Sequence, residues 1–284
     1  MAIGTDARLR DVVSQVVAQE KQDVLLSLKR PALRIARGDT IDAFAPVSRL
    51  GGRPLAAPGT SWPVAEDGPL DLLAQIDLAD VARVWPDGPL PDHGLLSFFC
   101  DINEPPWSFM ASDPEKWQVR WDQGEVQPLP LPEDGWETLP AYGIRWEPAT
   151  TLPRAGEDDI VFQNLGLTGE LAAVDDVIGG GPVFPQLMGW PHLLRGSVTT
   201  RCQRELAFMV EGQQRFAPNV NMPEQDWDAL DEATEAADWR LLLQLGPDPD
   251  RGWNREGGEG LYFLIRADDL VKRRFDQVWT VAQS

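Results

Sequence analysis

Leu72-Leu73-Ala74-Gln75-Ile76 returns as Leu241-Leu242-Leu243-Gln244-Leu245, an apolar run of strand length with one glutamine at the same place. A glycine-led apolar run follows each copy, Gly94-Leu95-Leu96-Ser97-Phe98-Phe99 and then Gly260-Leu261-Tyr262-Phe263-Leu264-Ile265. A turn-like echo precedes each, Leu50-Gly51-Gly52-Arg53-Pro54 and Leu187-Met188-Gly189-Trp190-Pro191. Three motifs in one order imply an internal duplication, with pseudo-repeats over residues 45–122 and 183–284. The copies are offset by 137 residues at Leu50/Leu187, 169 at Leu72/Leu241 and 166 at Gly94/Gly260. The second half therefore holds about 32 extra residues between its first and second motifs, and these include 223–238, which read as a short acidic helix.

The fold class this predicts is α+β: mostly antiparallel sheets from two related halves, with peripheral helices. One of these is a long N-terminal helix, capped by Thr5 or Asp6 and stopped near Arg30 by Pro31. Leu9, Val12, Val13, Val16, Val17, Val24, Leu25 and Leu28 give it one apolar face, which packs on its own domain or docks a partner. Residues 1–44 read as this helix and a connector, and 45–284 as one compact unit. Along the chain 31–70 read as turns and short strands, 79–85 and 267–275 as helices, and 116–121, 205–211 and 278–281 as strands. Residues 123–159 read as proline-rich and irregular. Gly179-Gly180-Gly181-Pro182 marks either a junction or a tight loop.

Charge narrows the partners. The chain carries 45 acidic against 25 basic residues, a net of −20, which disfavours phosphate backbones and anionic lipid. A cationic protein suits such a surface, and solubility alone also explains it. No signal-peptide core and no apolar run of about 18 residues occurs, so a cytoplasmic protein with two reduced thiols, Cys100 and Cys202, is expected.

Ser48-Arg49-Leu50-Gly51-Gly52-Arg53-Pro54, Trp62-Pro63, the runs at 72–77 and 94–99, and the tail at 239–245, 257–265 and Asp268-Asp269-Leu270 resemble the YwqG-like family of bacterial proteins. The resemblance spans residues 45–284. It implies a compact α+β protein with mostly antiparallel strands and an internal duplication, and it brings no established activity. Family members often carry a Trp-Gly-Asp turn before the last strand pair, where this chain has Trp253-Asn254-Arg255.

Gln75 and Gln244 are the most informative polar residues, because an amide buried unpaired in an apolar strand costs about 1–3 kcal/mol. Either each amide satisfies neighbouring backbone groups, or both line a polar cleft between the halves together with Asp77. Neutral amides orient ligands and seldom move protons, so the cleft reading favours binding over catalysis. Trp62 and Trp190, each followed by proline, are core anchors or, if exposed, contact sites for a partner or ligand. The pairs His93/Cys100 and His192/Cys202 carry the residue types of a thiol nucleophile and base, although Cys100 ends an apolar run and reads as core. Asp248 to Glu259 has the offsets of a calcium loop with Trp253 where the turn glycine belongs, and reads as a solvated hairpin. The expectation is a binding protein with no catalytic set, no metal and no cofactor. Its partner would be a cationic protein, such as a basic bacterial effector that it neutralises. The alternative is a small-molecule binder or enzyme with a cleft between the repeats.

Overall fold

The computed structural model describes residues 6–106, 114–132, 136–156, 160–178, 181, 183–203, 239–248 and 260–284. The strand expected at 205–211, the acidic helix at 223–238, the glycine run at 179–180 with Pro182, and most of the calcium-like loop lie outside these residues.

Ten strands form one antiparallel sheet. Their ranges are β1 (Arg30–Thr40), β2 (Arg49–Leu50), β6 (Asp71–Asp77), β7 (Leu95–Cys100), β8 (Trp117–Asp122), β10 (Tyr142–Thr151), β11 (Gln186–Leu187), β12 (Trp239–Leu245), β13 (Gly260–Arg266) and β14 (Trp279–Gln283). Two small ribbons, β3 (Leu55–Ala56) with β9 (Gln127–Pro128) and β4 (Val64–Ala65) with β5 (Gly68–Pro69), complete the strands. The order across the large sheet is β14-β13-β12-β11-β1-β10-β2-β6-β7-β8, a mirror sequence about the β1/β10 contact.

The mirror holds at the level of single bonds. β6 and β12 each slip register once against their neighbours, at Leu72/Ala74 and at Leu241/Leu243, so Leu73 and Leu242 sit in equivalent bulges. The Leu73 carbonyl accepts from Gly51 N–H at 2.9 Å, and the Leu242 carbonyl from Met188 N–H at 3.1 Å. The turn beyond each short strand has two left-handed residues, Gly51 and Gly52 in one copy and Met188 and Gly189 in the other. The first strands are exchanged. β1 pairs with β11, Ile35 N–H donating to Pro185 O at 3.0 Å, while β10 pairs with β2, Ile144 N–H donating to Ser48 O at 3.3 Å.

The sheet curls until it is nearly a barrel. Its two wings bury Leu33, Leu73, Ile76, Phe98, Leu187, Leu243 and Phe263 in one core, with Phe98 edge-on to Phe263 at 5.2 Å. The outer strands then meet through side chains: Trp117 lies 6.1 Å from Trp279 and donates its indole N–H to Val278 O at 2.8 Å. Aromatic packing thus covers two edges that would otherwise offer open hydrogen-bonding ladders.

The helices are peripheral: α1 (Asp6–Val16), α2 (Gln19–Ser27), α3 (Leu78–Val84), α4 (Ile160–Asn164), α5 (Thr168–Ile178) and α6 (Ala267–Val271). The single long N-terminal helix is therefore corrected to two. Ala18 takes an extended backbone (φ −56°, ψ 138°), and Gln22 donates to the freed Val17 carbonyl at 2.8 Å. Pro31 stops no helix; it stands second in β1, where a missing N–H is tolerated. The apolar face packs on its own domain, with Leu9, Val13, Val17 and Leu25 buried against Phe162, Leu171, Val174 and Trp190, while Val24 is exposed. Residues 30–40, read from sequence as connector, and 142–151, read as irregular, are the two central strands. The helix expected over 267–275 ends at Val271, because Arg273 turns left-handed (φ 59°) and Arg274 N–H closes the end on Asp269 O at 2.8 Å.

Candidate functional site

In each half a row of polar side chains crosses the face of the sheet opposite the core. In the first half Arg49, Gln75 and Ser97 stand directly across from one another on β2, β6 and β7. In the second half the row is Gln186, Gln244 and Tyr262 on β11, β12 and β13, and Arg34 of the neighbouring β1 extends it.

Gln75 is fully buried and uses its whole amide. Its Oε1 accepts from Arg49 Nη2 at 2.8 Å and Leu55 N–H at 3.1 Å, and its Nε2 donates to Leu55 O and Ser97 Oγ, both at 2.7 Å. Arg49, also fully buried, donates further to Ala45 O at 2.8 Å, Val47 O at 3.3 Å and Arg53 O at 2.5 Å. Carbonyl dipoles rather than a carboxylate thus hold this buried charge, and burial pulls its pKa down to about 10. Gln244 repeats the plan with fewer bonds: Oε1 accepts from His192 N–H and Nε2 donates to Phe184 O, each at 2.9 Å. These are the backbone-satisfying glutamines of the plainer sequence reading. The Gln75 amide has no capacity left for a ligand.

The other expected site residues stand apart. Asp77 caps α3, its Oδ1 accepting from Ala79 N–H at 2.9 Å. Trp62 is a buried anchor, its indole N–H donating to Leu70 O at 2.9 Å and its ring edge-on to Phe99. Trp190 is buried as well, donating to Leu28 O at 2.7 Å with the Arg30 guanidinium 3.3 Å from its ring centre. Neither is an exposed contact tryptophan; both have apolar neighbours that burial rewards. Trp107, Trp227 and Trp253 fall outside the described residues. His93 is exposed beside Asp92, whereas Cys100 is fully buried at the far end of β7, about 20 Å away by strand rise. Burial, then Asp101 and Asp71, push the Cys100 thiol well up, so it is no thiolate nucleophile.

Sequence reasoning passed over Arg34 and Gln186, and weighed His192 only as a base for Cys202. Gln186 Nε2 donates to Met188 O at 2.7 Å and Trp190 O at 3.2 Å, taking the place that Arg49 fills in the first half. Its Oε1, Arg34 Nε and His192 Nδ1 are buried with no hydrogen-bond partner among the described residues. Phe184 links them, its ring 4.1 Å from the Arg34 guanidinium carbon and 5.3 Å from the His192 imidazole. Burial, then Arg154 and Arg34, lower the His192 pKa to about 4, so the ring is neutral at pH 7. Gln186 immediately precedes the echo at 187–191, as Arg49 precedes the one at 50–54; that alignment was the signal available.

At the opposite end of β6, Asp71 is buried beside Asp101, and burial first and Asp101 second raise its pKa to about 6. The native state therefore binds more protons than the unfolded chain between roughly pH 4 and 6, and stability falls as pH rises through that window. Asp71→Asn is expected to stabilise the protein by about 2–3 kcal/mol at pH 8 and by little at pH 4. Urea unfolding at the two pH values measures this.

Fold and site together define an α+β protein with a large, nearly barrel-shaped antiparallel sheet whose polar rows hold its own turns. A family model described as Domain of unknown function (DUF1963) matches residues 48–283, and the chain belongs to that family. No curated protein matches it. No described helix is long and apolar enough to cross a membrane. Among the described residues, no group of three or more His, Cys, Asp or Glu side chains is placed to hold a metal ion.

Proposed function

We propose that this chain is a non-enzymatic binding protein of the bacterial YwqG-like kind, acting in the cytoplasm, whose acidic surface takes a cationic protein partner. The observation that carries this reading is the charge imbalance. The net charge is −20, and all four lysines are already spent in ion pairs, Lys21 with Glu170, Lys29 with Asp6, Lys116 with Glu104 and Lys272 with Asp268. The remaining acidic excess attracts cations and speeds association with a basic surface. The mirrored strand order and the equivalent bulges support descent from a duplicated sheet unit, with any local function on the surfaces where the copies differ.

Capture from the native lysate at low salt, followed by reconstitution with the purified candidate, tests the reading. A basic protein binding in fixed stoichiometry, with affinity falling steeply as salt rises, is the expected result. If no basic protein binds stoichiometrically even at low salt, the reading fails. The alternative of a small molecule in a cleft between the halves draws no support from Gln75, whose amide is already fully bonded.

A further inference from the structure

We propose that the second half binds a small oxyanion that retains a hydroxyl, with the chemistry of hydrogen phosphate, between Arg34, Gln186 and His192. The site lies where the two halves part company. In the first half the Arg49 guanidinium reaches three loop carbonyls and Gln75, and its Nε alone lacks a partner among the described residues. The shorter Gln186 replaces it in the second half and reaches only Met188 O and Trp190 O. Three buried polar atoms are then unpartnered among the described residues, and buried polar groups as a rule have partners. They are neighbours: Arg34 and Gln186 face each other on β1 and β11, and Phe184 packs on both Arg34 and His192. His192 is only 7 % exposed and Gln186 0 %.

The chemistry of the three atoms selects the ligand. Arg34 Nε can only donate. Gln186 Nε2 is committed to two carbonyls, so its Oε1 is fixed as an acceptor. His192 Nδ1 donates when the neutral ring carries its proton there, the tautomer that a bound anion selects. Two donors and one acceptor match an acid whose anionic oxygens accept from Arg34 and His192 while its hydroxyl donates to Gln186. Sulfate offers the same charge and shape without the hydroxyl. Burial first, then the charges of Arg154 and Arg34, disfavour a second proton on the ring. Glu147 stands opposite Arg34 on β10, and Asp175 pairs with Arg154 at 2.9 Å. This inference goes beyond the protein-binding reading and does not depend on it.

With only two histidines in the chain, imidazole resonances report the site directly, and His93→Gln assigns the His192 signal. Titrating the full protein with sodium phosphate at pH 7 is expected to move the His192 signal saturably and to raise its pKa. Sodium sulfate at equal ionic strength should act far more weakly. Arg34→Met should weaken the phosphate response by about tenfold or more, the effect of one charge-assisted hydrogen bond, with the His93 signal unchanged as the check on folding. If phosphate leaves His192 unmoved in the wild-type protein, ordered water satisfies these atoms and the proposal is overturned. Equal responses to sulfate and phosphate would overturn the hydroxyl requirement. The wild-type titration decides the matter even if Arg34→Met does not fold.

Discussion

Gln75→Leu is expected to lower the unfolding free energy by about 3–6 kcal/mol, a large share of the 5–15 kcal/mol typical of a domain. The substitution roughly conserves volume, so the loss comes from hydrogen bonds rather than from a cavity. It strands the Leu55 N–H, the Leu55 carbonyl and the Ser97 hydroxyl, and it removes one acceptor from a buried guanidinium. Each unsatisfied buried group costs about 1–3 kcal/mol, offset in part by the apolar surface that leucine buries. Gln244→Leu strands only the His192 N–H and the Phe184 carbonyl and should cost about half as much. Urea unfolding of the two variants side by side is the measurement. Equal losses would mean that the amides matter through packing, and the hydrogen-bond account of the row would fall.

Gly246→Ala is expected to be comparably severe, about 3 kcal/mol or more, for a different reason. A Cβ at this position would lie 1.6 Å from the Val183 carbonyl oxygen and 2.7 Å from its carbon. Both obstacles are backbone, so no rotamer change relieves them. The segment at 183–184 has to move away from the end of β12, and the Gln244 bond to Phe184 O goes with it. Gly124→Ala is the control: nothing lies within 4 Å of its Cβ, and its effect should stay within about 0.5 kcal/mol. Thermal unfolding of the pair reads the difference. A Gly246→Ala protein as stable as the control would show that the close approach imposes no constraint.

The repeated apolar strands were legible because their residues advertise burial. The apolar runs at 241–245, 72–76, 94–99 and 260–265 fall within or one residue from β12, β6, β7 and β13, and the strand expected at 278–281 overlaps β14. The two longest strands were not legible. β1 carries Arg30, Pro31, Arg34 and Arg37, and β10 carries Gly143, Arg145, Glu147 and Pro148, a composition that marks an edge or a loop. Their burial comes from the tertiary arrangement: Leu33 and Ile35 face the core while Arg30 and Arg34 stack on Trp190 and Phe184 from the other side. The N-terminal break was invisible for a related reason, since the apolar spacing runs on through Val16 and Val17 while the chain turns at Ala18. Among the site residues, a lone glutamine in an apolar run was a sound signal for buried hydrogen bonding. That Arg34 would face Gln186 was beyond reach, because it depends on a strand whose existence was not foreseen.

The exchange of first strands has a consequence for how this chain can be divided. The family match begins at residue 48, after β1, yet β1 fills the slot between β10 and β11. A polypeptide started at the family boundary would have a gap in the middle of its sheet, with two inner strands opened as edges to any passing chain. Cutting between the halves has the opposite character. Each fragment would hold the strand that the other lacks, so the two are built to find each other and restore the sheet by reciprocal donation. In this arrangement each wing of the sheet is completed by a strand from the other side of the chain.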